Sequence, residues 1–345
     1  MSNSRFHNLT VESVIDETED ARSLVFRIPE ELAEQFNYKP GQFLTLRLPW
    51  QGGHILRCYS MSSTPDCDPA PRVTIKRVDG GRGSNWICDQ VKPGDTLEVM
   101  KPAGVFVPAS YDGDFLLCAG GSGVTPVFSI LRSVLKFGSG RIRMLYANRD
   151  ERSIIFKDEL KALMADCPNR LEVIHLLDSV QGIPSVDLLA SLSEQMKHAQ
   201  AFICGPGPYM DAVEAALAKV DMDRDHVHIE RFVSLPDEDE REAAQDVSEH
   251  EAKVEQAQVT IDLYGTEHQI SCQGDETLLK AAERQGLELP YSCEVGMCAS
   301  CMCEVTEGDV DLLHNEVLDE RDLKNRMTLT CQAVPVTANL KLRYS

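Results

Sequence analysis

The sequence has no run of about 18 apolar residues, so no segment of it reads as a membrane-spanning helix. It has no excess of basic charge either. The 345 residues carry 34 Lys and Arg against 55 Asp and Glu, a formal net charge of −21. That balance disfavours nucleic acid and anionic membrane as partners, because both are bound through clustered cations. Met1 to Thr10 holds no apolar stretch, so no secretory signal is expected. No internal repeat is visible. The G-x-G-x-x-G dinucleotide fingerprint is missing. Only one C-x2-C knuckle is present, where a structural zinc site usually pairs two.

What is present is cysteine, twelve in all. Four of them form a pattern. Cys293, Cys298 and Cys301 read C-x4-C-x2-C, and Cys331 follows after 29 residues. This is the plant-type spacing for a [2Fe-2S] cluster. Two tetrahedral irons need four thiolates; a tight loop supplies three and a distant strand closes the cage. Gly296, Ala299 and Ser300 suit a loop whose backbone N–H groups approach inorganic sulfide. Cys303 alternates with Cys301 along a short strand and reads as packing. The remaining cysteines are spread along the chain without a visible export signal, which points to a reducing cytoplasm.

The length predicts two or three domains. Up to about residue 110, short alternating segments (Thr10 to Ile15, Arg22 to Ile28, Gln42 to Leu48, Arg72 to Val78, Thr96 to Lys101) are separated by turns such as Pro40-Gly41 and Pro93-Gly94. They predict a small antiparallel β-barrel. From 111 to 233 the pattern changes. The apolar strand Phe115 to Ala119 runs into a glycine loop and a helix, with further strands at Ile142 to Ala147, Leu171 to Leu177 and Ala201 to Cys204. Strands alternating with helices predict a parallel α/β sheet. Residues 234–256 include nine acidic and two basic side chains and read as a solvated acidic linker with a marginal helix. Residues 257–345 predict an α+β module with a hairpin and a helix near Glu276 to Gln285. Asp275 or Thr277 can cap that helix and Gly286 can end it. The last third carries most of the net negative charge, which permits steering toward a basic protein surface and equally serves solubility.

Within the barrel, Arg57-Cys58-Tyr59-Ser60 places an aromatic ring beside a hydroxyl at a strand end. Alternation puts Arg57 and Tyr59 on one face and Cys58 and Ser60 on the other. Arg57 can pair with a phosphate, Tyr59 can stack on an isoalloxazine, and Ser60 can reach its N5. Some twenty residues on, Gly80-Gly81-Arg82-Gly83-Ser84-Asn85-Trp86 opens a helix, with Ser84 or Asn85 as cap. A glycine-rich helix N-terminus is an anion seat suited to a pyrophosphate. Glu230-Arg231-Phe232 supplies an aromatic that can cover the other flavin face. In Gly120-Gly121-Ser122-Gly123-Val124-Thr125-Pro126, Thr125 can be the N-cap and Pro126 the first helical residue. Cys204-Gly205-Pro206-Gly207-Pro208 places a strand-end thiol at the carboxyl edge of a parallel sheet, where ligands bind.

Taken together, these motifs resemble the ferredoxin–NADP reductase superfamily, in the group with a fused C-terminal plant-type ferredoxin. The R-x-Y-S stretch at Arg57 to Ser60, the G-G-S-G-V-T-P loop and the C-G-P turn at Cys204 carry the resemblance. Within the group, Gly83 to Asp89, Tyr146 to Asp150 and Cys204 to Pro208 are most similar to reductase components of 3-ketosteroid 9α-hydroxylases. Those of phenylacetyl-CoA epoxidases come next. The resemblance implies FAD rather than FMN, held by Arg57, Cys58, Tyr59, Ser60, Thr74, Ile75, Lys76, Gly81, Gly83, Ser84, Asn85 and Phe232. It implies NAD(P)H, NADH before NADPH, held by Gly121, Gly123, Thr125, Pro126, Arg149, Cys204, Gly205 and Pro206. Ser60, Cys204 and Glu230 would be the catalytic group, and Cys293, Cys298, Cys301 and Cys331 the metal ligands.

The implied function is electron transfer from NAD(P)H through FAD and [2Fe-2S] to a partner oxygenase, by a cytoplasmic monomer. A nicotinamide gives two electrons at once and the cluster takes one, so a flavin is the required converter. A reductase serving an epoxidase or a hybrid-cluster protein, and a redox sensor that binds partners without turnover, are the alternatives.

Overall fold

The computed structural model describes residues 5–65, 67–232, 235 and 251–344. The chain divides into two compact units. One combines the segments up to Pro102 and Phe106–Phe232; the other combines Ala103–Val105 with the segment after Phe232.

The first unit holds two sheets. β1 (His7–Thr18), β2 (Ala21–Arg27), β3 (Phe43–Trp50), β4 (Gly53–Ser60), β5 (Arg72–Lys76) and β6 (Thr96–Val99) form an antiparallel sheet in the order β4-β3-β6-β1-β2-β5. An isolated bridge between Met61 and Val73 joins its two edges, so the sheet curls into the expected barrel. Closure removes the exposed edges of a small sheet. Leu9, Leu24, Phe26, Leu44, Leu46, Ile75 and Val99 fill the interior. The helix α1 (Arg82–Gln90) buries Ile87 and Cys88 against that core.

The second sheet is parallel. β7 (Phe115–Gly120), β8 (Ile142–Asn148), β9 (Leu171–Leu177), β10 (Gln200–Cys204) and β11 (Val227–Glu230) pair in the order β11-β10-β7-β8-β9. Every residue of β7 is buried. That explains its unbroken apolar run, since a central parallel strand is covered on both faces. α2 (Val124–Phe137) and α3 (Lys157–Asp166) cover one face of the sheet. After the short α4 (Asp178–Gln181), α5 (Val186–Ser193) and α6 (Gly207–Lys219) cover the other. The chain reverses its direction of winding between β7 and β10, so their carboxyl ends form the switch-point crevice where ligands bind in such sheets.

The second unit is an α+β grasp. β12 (Gln256–Leu263), β13 (Thr266–Gln273), β14 (Met302–Glu307), β16 (Met327–Leu329) and β18 (Asn339–Tyr344) form a mixed sheet in the order β13-β12-β18-β14-β16. β15 (Val310–Leu312) pairs with β17 (Ala333–Pro335). β12 and β18 run parallel, with Val259 opposite Leu340 and Ile261 opposite Leu342. The alternation along β18 buries Leu340, Leu342 and Tyr344 and exposes Asn339, Lys341 and Arg343. α7 (Leu278–Arg284) packs on the sheet, and α8 (Glu320–Lys324) lies between β15 and β16 in sequence. Thr277, rather than Asp275, is the cap of α7: its Oγ1 accepts the Lys280 N–H at 3.4 Å. Most of the acidic linker expected at 234–256, with its marginal helix, lies outside the described residues.

Candidate electron-transfer site

The two flavin motifs meet in space. Gly83 lies in the first turn of α1, and a Cβ built on it would sit 2.7 Å from Arg57 Cγ, 3.1 Å from Leu48 Cδ1 and 3.3 Å from Tyr59 Oη. Only glycine lets the helix approach β4 this closely. Arg57, Tyr59 and the N-terminus of α1 thereby form one cradle. No side chain caps that N-terminus, whose N-cap is Gly81. The expected caps act differently. Ser84 Oγ accepts the Val78 N–H at 3.2 Å, and Asn85 Nδ2 donates to the Val78 carbonyl at 3.2 Å. Both sit inside the helix and brace the preceding turn, because the helix begins three residues earlier than a Ser84 cap would require. The first N–H groups of α1 are left to an anion. An FAD pyrophosphate fits this cradle.

The neighbouring strand contributes less through its side chains. Ile75 is fully buried in the barrel core. Thr74 Oγ1 lies 2.7 Å from both Ser23 Oγ and Ser62 Oγ. Contacts of these two residues with a flavin are left to their backbone. Cys58 lies 3.4 Å from Thr45 Oγ1, on the face away from Arg57 and Tyr59. Phe232 is exposed at 48 %.

Ser60, Cys204 and Glu230 converge although they come from three distant segments. Cys204 and Glu230 are register partners on β10 and β11. The Ser60 hydroxyl at the end of β4 donates to Glu230 Oε2 at 3.3 Å. Burial pushes the Glu230 carboxyl up to about 8, and the Ser60 hydrogen bond offsets part of that rise. The Cys204 thiol is also pushed well above its ordinary value, by burial and by the Glu230 charge. Cys204 is therefore a neutral thiol. A nucleophilic thiolate is not the chemistry of this place.

The nucleotide loops are packed backbone to backbone. A Cβ on Gly123 would lie 2.2 Å from the Cys204 carbonyl oxygen, and one on Gly205 would lie 2.9 Å from the Gly120 nitrogen. This close approach of the β7 and β10 ends leaves a cradle lined by peptide groups, which a dinucleotide fits. The helix start differs from expectation. α2 begins at Val124 with Gly123 as N-cap, and Thr125 Oγ1 donates back to the Ser122 carbonyl at 3.0 Å. A 3-10 turn over Gly121–Gly123 carries the chain into the helix, so Thr125 and Pro126 are already inside its first turn. Pro206 is the N-cap of α6.

Arg149, expected at the nucleotide, is paired with Asp20 of the barrel at 2.7 Å. Lys76, expected at the flavin, has its ammonium 3.8 Å from Asp20. It also lies 3.8 Å from a Cβ built on Gly121. It therefore faces the nucleotide loop. Asp20 was not foreseen. An acidic residue in a hairpin turn carries no local signal of a contact 129 residues away. Gln332 was also missed. Fully buried next to Cys331, it donates from Nε2 to the Glu294 carbonyl at 2.8 Å and so ties the fourth cysteine to the cysteine loop.

In the second unit the four cysteines come together. The Cys293 sulfur accepts N–H groups from Val295 at 3.5 Å and Met297 at 3.4 Å, and the Cys298 sulfur accepts the Cys293 N–H at 3.4 Å. Hydrogen bonds from Cys298 and Cys331, with those backbone donors, hold the Cys293 thiol well below its ordinary value. Cys331 contacts both Cys293 and Cys301. Glu294, Gly296 and Ala299 adopt positive φ. This winds the loop so that successive N–H groups turn inward, an anion nest. At Gly296 a Cβ would lie 2.6 Å from the His314 carbonyl oxygen, so the strap over the loop also requires glycine there. Among the described residues no group of three or more His, Cys, Asp or Glu is arranged about a single metal ion. A binuclear cluster asks instead for two pairs of thiolates, and the donor set fits it. Cys303 is buried in the core near Tyr344, which agrees with a packing role.

Comparison with known proteins matches these parts in order. Residues 8–107 match an oxidoreductase FAD-binding domain, 117–215 an oxidoreductase NAD-binding domain, and 261–336 a 2Fe-2S iron-sulfur cluster binding domain. The ferredoxin reductase component of 3-ketosteroid-9-alpha-monooxygenase from Rhodococcus rhodochrous is 48 % identical over 343 residues, covering 99 % of this chain and 97 % of that protein. A component of the 1,2-phenylacetyl-CoA epoxidase of Escherichia coli strain K12 is 35 % identical, covering 98 % of both chains. Phthalate dioxygenase reductase, a solved structure, shares the fold with a TM-score of 0.58 at 24 % identity, over 98 % of each chain.

Proposed function

The chain belongs to the flavin- and iron–sulfur-containing reductase components of oxygenases, and we propose that its electron acceptor is the terminal component of a ketosteroid 9α-hydroxylase-type Rieske oxygenase. As a member of that family it is an oxidoreductase that uses FAD, NAD(P)H and a [2Fe-2S] cluster. The flavin, when bound, supplies the conversion between two-electron hydride chemistry and one-electron transfer.

The chain's own residues do the positioning. In this reading Arg57 and the N-terminus of α1 hold the flavin's phosphates, and Tyr59 and Ser60 set its ring. The Gly120–Gly123 loop and the Cys204–Pro206 turn bring the nicotinamide to the same place. Hydride transfer demands geometry more than acid or base. The largely neutral Cys204 and Glu230 would therefore offer a bound nicotinamide a shaped, largely uncharged wall. Cys293, Cys298, Cys301 and Cys331 would hold the cluster, which supplies one-electron transfer. The observation that carries this reading is the convergence of Ser60, Cys204 and Glu230 where the barrel meets the parallel sheet.

Among the described residues the twelve cysteines form no disulfide, which supports a reducing cytoplasm. Among the described residues no helix is long and apolar enough to cross a membrane.

The acceptor assignment follows the 48 % relative over the 35 % one. The test is reconstitution. The purified chain with NADH and a ketosteroid-hydroxylating Rieske oxygenase should yield 9α-hydroxylated steroid coupled to NADH use. Steady turnover with ferricyanide but none with that oxygenase would redirect the acceptor to an epoxidase or hybrid-cluster protein. No steady turnover with either nucleotide would leave a sensor.

A further inference from the structure

The turn between β1 and β2 holds a carboxylate beside the nucleotide loop. Asp20 Oδ1 accepts the Thr18 hydroxyl at 2.8 Å. Its Oδ2 lies 2.7 Å from Arg149 Nη2 and 3.8 Å from Lys76 Nζ. Lys76 ends a barrel strand, and Arg149 follows β8 of the parallel sheet. Two cations from different sheets thus share one anion, and that anion belongs to the protein. The Lys76 side chain is only 16 % exposed. Burial pulls its ammonium below the ordinary lysine range, and the Asp20 charge opposes that pull. Asp150, the nearby acid, is committed elsewhere: its carboxylate accepts the N–H groups of Arg152 and Ser153.

A desolvated ammonium and a guanidinium fork beside a glycine loop form the donor set that a phosphate takes. Gly121, with φ +50, brings that loop to the Lys76 ammonium. We propose that Asp20 is a resident competitor for the dinucleotide phosphate: it holds Lys76 and Arg149 while the crevice is empty, and the incoming pyrophosphate displaces its side chain. This rests on reading the Gly120–Gly123 loop as the dinucleotide seat. The backbone of Asp20 is pinned, because the Arg77 N–H donates to its carbonyl at 2.7 Å and Thr18 pairs with Ala21 across the turn. Only the side chain has to rotate. Such a competitor lowers ground-state affinity for the nucleotide and speeds release of the oxidised product. A purely structural ion pair behaves in the opposite way. Breaking it would leave Arg149 less well placed and binding weaker or unchanged.

The test uses the full-length holoprotein and Asp20→Asn, which removes the charge and keeps the shape. NADH oxidation with ferricyanide gives KM and kcat. ADP, which carries the pyrophosphate without the nicotinamide, gives an inhibition constant. We expect the KM for NADH and the inhibition constant for ADP to fall about threefold to tenfold. The change should sit in KM rather than kcat, and the gain should shrink in an Arg149→Ala background. AMP, lacking the pyrophosphate, should gain less. If Asp20→Asn does not accumulate with flavin, Asp20→Ser asks the same question. Unchanged or weakened ADP and NADH affinity overturns the proposal alone. A wild-type chain that oxidises neither NADH nor NADPH overturns the dinucleotide reading, and this proposal with it.

Discussion

The Ser60 hydroxyl donates to Glu230 Oε2 across 3.3 Å, joining residues 170 positions apart in the chain. One ends a barrel strand and the other ends the edge strand of the parallel sheet. The bond therefore fixes the Ser60 hydroxyl relative to Cys204, the register partner of Glu230. Removing it with Ser60→Ala should lower kcat for NADH-dependent ferricyanide reduction about tenfold to a hundredfold, since hydride transfer is sensitive to small misplacements. Stopped-flow reduction of the bound flavin would check this. An unchanged reduction rate would show that Ser60 does not position the reacting groups.

Glu230 gives a prediction of definite sign. Burial raises its folded carboxyl to about 8, above the ordinary value of 4.5. Between those values the folded chain holds a proton that the unfolded chain has released. This contribution to stability is complete below the unfolded value and is lost as pH rises through about 8. Glu230→Gln should therefore flatten the fall in Tm between about pH 5 and pH 8. Thermal melts of both proteins across that range would check it, and parallel curves would place the titration elsewhere.

Gly83→Ala should expel the flavin. The added methyl would meet Arg57 Cγ at 2.7 Å and Tyr59 Oη at 3.3 Å, so the helix or the arginine has to move. Overpacking of this kind costs about 1–3 kcal/mol. The flavin-to-protein ratio after gel filtration should drop while cluster absorbance stays. Arg57→Ala should act in the same direction by removing a charge-assisted phosphate contact worth roughly 1.5–3 kcal/mol. Flavin released by heat should run as FAD on chromatography; FMN would undo the assignment of Gly81 to Asn85.

The four cysteines and the strand run of β7 were legible because their signals are local: a fixed spacing in one case, an unbroken apolar run of five residues, Phe115 to Ala119, in the other. The starts of α1 and α2 were not. Thr125 before Pro126 has the composition of a cap, yet the glycines ahead of it begin the turn early and leave its hydroxyl bonded to Ser122. Ser84 likewise bonds backward to Val78. Asp20, Lys76 and Arg149 meet only through tertiary packing, which periodicity does not encode. The resemblance implied Lys76 for the flavin; its ammonium lies 3.8 Å from a Cβ built on Gly121, a neighbour that the strand pattern of β5 does not reveal.

Cys331→Ser should remove one thiolate and destabilise the [2Fe-2S] centre while leaving FAD bound, since the residues of the flavin cradle lie in the other unit. NADH should still reduce the flavin, and transfer to a one-electron protein acceptor such as cytochrome c should fall at least tenfold. Visible absorbance and iron content report the cluster directly. Full absorbance with full transfer would exclude Cys331 as a ligand.

The coenzyme preference should favour NADH. After β8 the chain reads Asn148-Arg149-Asp150-Glu151-Arg152, with both signs of charge, so composition alone does not decide. The structure adds that Arg149 is already neutralised by Asp20 at 2.7 Å. Asp150 accepts the Arg152 backbone N–H within the same turn, which keeps a carboxylate beside the second arginine. A 2′-phosphate brings two more negative charges and would have to compete with the Asp150 carboxylate there, whereas a 2′-hydroxyl would not. The specificity constant for NADH should therefore exceed that for NADPH at least tenfold with ferricyanide as acceptor. Arg149→Ala should weaken both coenzymes together, because in this reading the arginine serves the shared pyrophosphate. A preference for NADPH that is lost selectively in Arg149→Ala or Arg152→Ala would show instead that the arginines bind the 2′-phosphate.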